Sequence, residues 1–345
     1  MRKVLNKIKK QIDALSLNLS GKILLTEAAT GPYIVTSIIG ALAGAKVYAY
    51  AKDSRYGSAK KVFDINRKIL EDLDPVIDIN FIDKLESKVI SKADIITNSG
   101  HLRPVNMDLL KHIKKGCVIP LMYESWELRD SDLDLKYCKD NGIPVGATNE
   151  RHPDINVFSY LGDMAVRQIF DSGVCLYDNN FVLICNNQFG PYIAQTLGKL
   201  CKNLGVIDKK ENRKNYEDRI EWLSDFPEIK VTEKYKDCEA IIFTAYPFDN
   251  NWIGDETSVI PADTLMNEFK DPFILRYAGN IDTVASDEKG LKYFPGKVQS
   301  GHMGVLPSDI GFDPVIRLQS GGLKAGELML QGQTEYNGQL LVELL

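Results

Sequence analysis

A four-residue segment, Gly-Pro-Tyr-Ile, occurs twice in this sequence, at residues 31–34 and 190–193. Each copy follows a short apolar run, at 23–25 and at 181–184, and opens a pattern with helical spacing. A strand, a tight turn and a helix N-terminus are the parts of a nucleotide-binding βαβ unit. The repeat therefore predicts an α/β fold with one such unit in each half of the chain.

The first half of the chain alternates between strand and helix patterns. An amphipathic helix is expected within residues 1–19, with a membrane-surface helix as the alternative because its polar face carries lysines. Strands separated by helices predict a parallel sheet that is covered on both faces. We expect strands at 23–25, 47–50, 76–82, 94–97, 118–122 and after 142, and helices at 34–43, 58–73, 106–113 and 135–141.

The second half repeats this alternation less regularly. A helix over 154–172 is expected to connect the halves. We therefore predict two Rossmann-like doubly wound domains with parallel sheets, joined by a long helix: residues 1–175 with the N-terminal helix, and a smaller domain at 176–345 with an irregular C-terminal segment. In the smaller domain we expect strands at 181–184, 240–244 and 272–277, helices at 192–204 and 261–269, a polar loop or exposed helix end at 208–218, an irregular stretch at 279–322 and a helical pattern from 322.

The charge balance bears on the partners of the protein. Lys and Arg total 42 and Asp and Glu total 47, so the net charge is −5. Nucleic-acid-binding proteins usually carry a basic excess, and no apolar run reaches the about 20 residues that cross a bilayer. We expect a cytoplasmic protein with a small-molecule ligand and without a nucleic-acid or membrane partner; homo-oligomer formation stays open.

The two turns carry only part of the glycine pattern that dinucleotides require. Aligned with Gly-x-Gly-x-x-Gly, they keep the last glycine, Gly31 or Gly190, which allows close helix–sheet packing. The middle glycine lets the backbone approach a pyrophosphate, and it is Ala28 in the first turn and Asn187 in the second. Because Asn187 is the larger obstruction, we expect a nucleotide at the first turn rather than the second. The alternative is a repeated strand–turn–helix that binds no phosphate.

An acidic residue follows the second predicted strand. Asp53 lies where an acid commonly binds the ribose hydroxyls of NAD. Arg55, two residues further on, is suited to a 2′-phosphate instead. A solvated turn is the alternative for both residues.

Polar residues follow three strands of the first half, at the carboxyl ends where open α/β sheets bind ligands. Residues 98–103 follow strand four, 123–127 follow strand five and 149–152 follow strand six. These segments supply two histidines, three carboxylates and two arginines, so we expect them to face one crevice. His101 titrates near neutrality and is a candidate acid or base; a solvated loop histidine is the alternative.

The second half supplies fewer candidates. Arg276 and Asn280 lie at and after the end of the strand at 272–277, and His302 is flanked by glycines, which lets its backbone approach a ligand closely. A turn histidine with a structural role is the alternative for His302. The histidines and cysteines are scattered along the sequence, so we predict no metal site.

Residues 93–119 begin with Ala-Asp-Ile-Ile-Thr-Asn-Ser and end with Lys-Lys-Gly-Cys-Val-Ile. This segment resembles the NAD-domain core of D-2-hydroxyacid dehydrogenases and of S-adenosylhomocysteine hydrolase, in which an Ala-Asp-Ile-Val-Val strand is followed by a helix and a strand that begins with lysine and glycine. The resemblance covers residues 20–175. It implies a Rossmann domain, an NAD(P) cofactor and a two-domain cleft linked by long helices.

These observations together predict NAD(P)-linked oxidoreductase chemistry on a small polar metabolite in a cleft between the domains, with NAD or NADP as the cofactor. Two alternatives remain: a transferase or ligase-like enzyme that binds a nucleotide-activated substrate, and a non-enzymatic ligand-binding protein that lost its dinucleotide fingerprint. The predicted cofactor-binding residues are Glu27, Thr30, Gly31, Tyr33, Asp53, Asn98 and Gly100. The predicted substrate-binding residues are Arg103, Glu124, Asn149, Arg276 and Asn280, and the candidate proton shuttles are His101, His152 and His302.

Overall fold

The structure is a computed structural model that describes residues 1–54, 57–73 and 77–345. Two parts of the sequence-based prediction lie outside the described residues: the role of Arg55, and the start of the strand expected at residue 76.

The chain divides into two compact units. The first unit is formed by residues 1–157 together with 311–345, and the second by residues 158–310. Each unit is defined by the contacts that its residues make with one another. The domain boundary predicted near residue 175 remains a prediction that limited proteolysis can test.

Strands and helices alternate through most of the described chain. The strands are β1 (Ile23–Glu27), β2 (Lys46–Tyr50), β3 (Ile79–Ile82), β4 (Ile95–Ile96), β5 (Ile119–Pro120), β6 (Val145–Thr148), β7 (Asn180–Cys185), β8 (Asn203–Asp208), β9 (Glu221–Asp225), β10 (Ala240–Thr244), β11 (Asn251–Gly254), β12 (Ile260–Pro261), β13 (Phe273–Ala278), β14 (Asn280–Ile281), β15 (Lys292–Phe294), β16 (Glu335–Tyr336), β17 (Gln339–Leu340) and β18 (Val342–Leu344). The helices are α1 (Arg2–Ala14), α2 (Val35–Leu42), α3 (Ala59–Leu73), α4 (Ser87–Ile90), α5 (Met107–Leu110), α6 (Leu135–Asp140), α7 (Leu161–Asp171), α8 (Gly190–Leu200), α9 (Ala262–Glu268), α10 (Thr283–Glu288) and α11 (Phe312–Leu330).

The first unit contains a parallel sheet in the order β3-β2-β1-β4. A bridge between Ile95 and Val118 joins β4 to the pair of β5 and β6, and β18 pairs antiparallel with β6. The strands β1 to β6 therefore lie in the order 3-2-1-4-5-6, the usual order of dinucleotide-binding sheets. Because β1 and β4 are parallel neighbours, their carboxyl ends lie side by side where the strand order reverses.

The second unit contains a six-stranded parallel sheet in the order β15-β13-β10-β7-β8-β9. Numbered from β7, these six strands again follow the order 3-2-1-4-5-6. A separate small sheet holds β11, β12 and β14. The prediction of two Rossmann-like doubly wound domains with parallel sheets is therefore confirmed.

Helix α1 buries the apolar face of its amphipathic sequence pattern. Leu5 and Ile8 are buried, and Leu15 just beyond the helix is fully buried in the same core. The expectation of a first helix packed on the fold is confirmed. Among the residues that the structure describes, no helix has both the length and the apolar character needed to span a membrane.

Several element boundaries differ from the sequence-based expectation. Helix α8 ends at Leu200, so the predicted end at 204 is wrong, and β8 was missed because only Cys201 and Lys202 separate helix from strand. Helix α11 begins at Phe312 rather than at 322, and the stretch expected to be irregular contains α10 and β15. Asn106 caps α5 by accepting a bond from the Asp108 amide, but that helix ends at Leu110 rather than at 113.

Gly304 is expected to tolerate no side chain. Its amide donates to the carbonyl oxygen of Tyr277 at 2.8 Å, and a Cβ would stand 1.9 Å from the carbonyl oxygen of Arg276, a backbone atom that cannot turn aside. We expect Gly304→Ala to lower the free energy of unfolding by about 1–3 kcal/mol, the usual cost of overpacking, as measured by urea denaturation. Gly296→Ala is the matched control, because no atom lies within 4 Å of its Cβ position. Equal stability of the two variants would contradict this expectation.

Candidate functional site

The carboxyl ends of β1 and β4 bring Glu27 and Gly100 together in the first unit. Glu27 is the last residue of β1 and is buried, and its Oε2 accepts a bond from the His101 amide at 3.3 Å. A Cβ at Gly100 would stand 1.6 Å from that oxygen, so only glycine leaves room for the carboxyl group. Burial raises the pKa of Glu27, whereas the charge of Arg103 and the bond from His101 lower it.

Arg103 is held in a fixed orientation beside this carboxyl group. Its Nη2 donates to the carbonyl oxygen of Asn98 at 2.7 Å, and its Nε lies 3.2 Å from the Asn98 Oδ1. The guanidinium carbon lies 5.0 Å from the centre of the Tyr123 ring, and Asn98 Nδ2 donates to the Tyr123 hydroxyl at 2.8 Å. Arg103 forms no ion pair with a described residue. Its positive charge acts on the Glu27 carboxyl group without a direct ion pair, so the guanidinium group can also bind an anionic ligand.

Glu124 follows β5 and is buried at the centre of the segments after β5 and β6. Its Oε1 accepts from the Glu150 amide and from the Nε of Arg151, both at 3.2 Å. Its Oε2 accepts from the Trp126 indole nitrogen at 2.5 Å. These bonds tie the two segments together.

Glu127 and Glu150 form a carboxyl–carboxyl hydrogen bond next to Glu124. Such a bond needs a proton on one of the two groups, because two ionised carboxylates have no hydrogen to share. Burial raises the pKa of Glu127 to about 7 and that of Glu150 well above its usual value. Burial, followed by the charges of Glu27, Glu150 and Glu127, raises the pKa of the Tyr33 phenol. The pair therefore favours a proton on one of its two carboxyl groups.

The three predicted histidines have different surroundings. His101 lies beside Glu27, and burial followed by the charge of Lys52 lowers its pKa, so its ring is neutral at pH 7. His152 is buried, and both of its ring nitrogens are engaged, with the carbonyl oxygen of Tyr336 at 3.0 Å and the Asp154 amide at 3.2 Å. His302 belongs to the second unit, where its Nδ1 lies 3.1 Å from the carbonyl oxygen of Ser300.

The other predicted substrate-binding residues hold the backbone of their own units. Asn149 donates from Nδ2 to the carbonyl oxygen of Leu340 at 2.8 Å and thereby fixes the C-terminal segment of the first unit. Arg276, in the second unit, donates from Nε to the Gly279 carbonyl at 2.9 Å and from Nη2 to Asn280 Oδ1 at 2.5 Å. Asn280 in turn donates to the Asp249 carbonyl at 2.8 Å.

The turn after β1 offers unused backbone donors. The amides of Ala29, Thr30 and Gly31 make no hydrogen bond to a described residue. Gly31 has a φ of +63°, which favours glycine, and its Cβ position faces open space. The turn can therefore receive an anion.

Asp53, beyond β2, caps α3 with Oδ1, which accepts from the Ala59 amide at 2.9 Å. Its Oδ2 bonds no described residue.

The sequence singled out Glu27, Asn98, Gly100, His101, Arg103 and Glu124, and the structure brings these six together at one edge of the first sheet. It adds Glu127 and Glu150, which sequence reasoning counted among the carboxylates of these segments without assigning them a role. The sequence feature that could have indicated these two residues is their position, since each follows a strand that was correctly predicted. Within the described residues, no group of three or more His, Cys, Asp or Glu side chains is placed to hold a metal ion.

The fold, with two units in the dinucleotide-binding strand order, has counterparts among solved structures. The A subunit of dipicolinate synthase from Bacillus subtilis matches at a TM-score of 0.56 and 14% identity, over 92% of this chain and 99% of that chain. The same subunit from Bacillus halodurans matches at 0.55 and 13%, over 92% and 100%.

A third solved structure extends the comparison to dehydrogenases. TP0037 from Treponema pallidum, a D-lactate dehydrogenase, matches at a TM-score of 0.51 and 11% identity, over 90% of this chain and 97% of that chain. The resemblance to D-2-hydroxyacid dehydrogenases is thus confirmed at the level of the fold. No protein-family model matches the sequence, and no curated protein matches it.

Proposed function

We propose that the first unit binds NAD or NADP at the turn after β1 and uses it to oxidise or reduce a small polar metabolite that carries a carboxylate. One observation supports this most. A turn with three unused amides lies beside an arginine without an ion-pair partner, at the point where the strand order reverses. Ligands of open α/β sheets bind at this point. The fold comparison supports the same substrate class, since lactate and dipicolinate are both small carboxylates.

The residues of the first turn fit the phosphate part of such a cofactor. The amides of residues 29–31 are suited to a pyrophosphate, and Ala28 adds only a methyl group where a glycine usually lies. The free Oδ2 of Asp53 is suited to a ribose hydroxyl. When bound, the cofactor would supply or accept a hydride.

The chain's own residues would position the metabolite and move its proton. Arg103, fixed by Asn98, would bind the carboxylate of the metabolite through its guanidinium group. The Glu127–Glu150 pair would hold the proton that a reduced carbonyl needs. In the opposite direction the same pair would take that proton back, and the neutral ring of His101 is the alternative shuttle for both directions.

Nucleotide-dependent stabilisation tests the proposal on the full chain. We expect NADH or NADPH to raise the melting temperature, because a ligand at about 100 times its Kd adds about 2.7 kcal/mol. Asp53→Ala is expected to weaken this binding about tenfold through the lost ribose contact. Asp64→Ala is the matched control, since Asp64 lies exposed on α3 and, among the described residues, forms an ion pair only with Arg67.

The alternatives give different results in the same assay. Stabilisation by ADP or AMP but by no nicotinamide nucleotide would favour an enzyme that binds a nucleotide-activated substrate. An absence of stabilisation by any nucleotide would favour a ligand-binding protein that lost its dinucleotide fingerprint.

The role of Arg103 has its own test. Arg103→Met should abolish stabilisation by small carboxylates such as lactate while leaving stabilisation by NADH. An unchanged response to lactate would contradict the role of Arg103.

A further inference from the structure

The turn after β7, in the second unit, uses its own side chains to bond its backbone amides. Asn187 Oδ1 accepts from the Phe189 amide at 3.0 Å, and Cys185 Sγ accepts from the Asn187 amide at 3.4 Å. The Gly190 amide also bonds the Cys185 sulfur. In a dinucleotide-binding turn, amides at these positions face the pyrophosphate. Here they are already bonded.

The acid at the ribose position of the second unit is also fully engaged. Asp208 ends β8, beside the end of β7, and has no exposed surface. It accepts from the Lys209 amide at 2.6 Å, from the Asn212 Nδ2 at 3.1 Å to each of its oxygens, and from the Tyr216 hydroxyl at 2.6 Å. A carboxylate with four such bonds has no acceptor capacity left for a ribose.

The Tyr216 hydroxyl occupies the space between this acid and the glycine of the turn. A Cβ on Gly190 would stand 2.2 Å from the Tyr216 oxygen, so the hydroxyl lies directly against the glycine. The same hydroxyl donates to Asp208. A ribose hydroxyl of a bound dinucleotide would have to take this place.

The first turn differs at each of these points. Its amides at residues 29–31 bond no described residue, and Gly31 faces open space. Ala28 stands where Asn187 stands in the second turn. The two turns therefore both lead from a strand into a helix, but the first is open and the second is filled, and only the first has its glycine at a positive φ.

We propose that the second unit has a dinucleotide-binding fold but binds no dinucleotide, because its own side chains Tyr216 and Asn187 occupy the places of the ribose and the pyrophosphate. Any dinucleotide capacity of the chain then belongs to the first unit. The inference concerns a different turn from the proposed function and does not depend on it.

Hydrogen–deuterium exchange of the full chain with NADH or NADPH tests this inference. We expect no added protection in peptides that cover 185–191 and 208–216. Protection at 27–34 would accord with the proposed function. Protection nowhere would count against the proposed function while upholding this inference. Protection of 185–191 or 208–216 in the unsubstituted chain would overturn it.

A conservative variant gives a second, independent readout. Tyr216→Phe removes only the hydroxyl, and we expect NADH affinity to fall by less than about twofold while the melting temperature decreases. Tyr177→Phe is the matched control, since Tyr177 is 89% exposed in the same unit. A loss of NADH affinity of about tenfold or more in the Tyr216 variant, with the control unchanged, would overturn the inference.

Discussion

Replacement of Lys324 by methionine is expected to lower the free energy of unfolding by about 3 kcal/mol, because it leaves the buried Glu327 carboxylate without its counter-ion. Lys324 is 4% exposed on α11, and its Nζ lies 3.0 Å from Glu327 Oε2 and 4.8 Å from the centre of the Tyr336 ring. Glu327 also accepts from the Asn18 amide at 3.2 Å, so the pair connects α11 to the segment after α1. Urea denaturation with a fitted slope measures the loss.

Two controls separate burial from charge. Lys7→Met breaks an ion pair between α1 and Asp313 on α11 whose side chains are 50% and 45% exposed, and exposed pairs contribute about 0–1 kcal/mol. In the double variant Lys324→Met with Glu327→Gln, neither member of the pair carries a charge, and part of the lost stability should return. A single Lys324 variant as stable as the Lys7 variant would contradict the expected role of burial.

Much of the fold could be predicted because strand and helix patterns in the first half are separated by clear breaks. The strand at β1 and the helix at α3 begin and end within two residues of the predicted positions. The second half was harder because β8 follows α8 after two residues, and neither of these, Cys201 and Lys202, is a glycine or proline that would mark where the helix ends. Helix α11 was predicted to start late because Gly321 and Gly322 look like a break, although they allow close packing on Ile155 and Met122.

The sequence predicts residues of the candidate site only where it also predicts the end of a strand. Glu27, Gly100 and Arg103 were named because each follows a recognised strand, and they do meet. The sequence could not show that Glu127 and Glu150 share a proton, since that depends on the distance between two loops. Nor could it show that Tyr216 fills the second turn, because the sequence predicts a polar loop or an exposed helix end at 208–218, whereas Asp208 ends a strand.

Replacement of Glu127 by glutamine is expected to remove much of the pH dependence of stability in the first unit. Burial raises the pKa of Glu127 from 4.5 to about 7 in the folded protein. A raised carboxyl pKa means that folding favours the protonated group, so this contribution is fully present below about pH 4.5 and is lost as the pH rises to about 7. The loss amounts to about 2 kcal/mol, after allowing for the coupling to Glu150 and the partial exposure of Glu127.

Glutamine imitates the uncharged acid, because its side-chain oxygen can still accept from the Glu124 amide and from the protonated Glu150. The variant should therefore match the unsubstituted protein near pH 4.5 and exceed its stability by about 2 kcal/mol at pH 8. Urea denaturation followed by Trp126 fluorescence, with Trp222 and Trp252 replaced by phenylalanine, reports on the first unit alone. Glu71→Gln, at an exposed position on α3, should follow the unsubstituted protein at every pH. If Glu127→Gln is no more stable than the unsubstituted protein at pH 8, the two carboxyl groups do not share a proton. The pair is then ruled out as the proposed proton donor of this site.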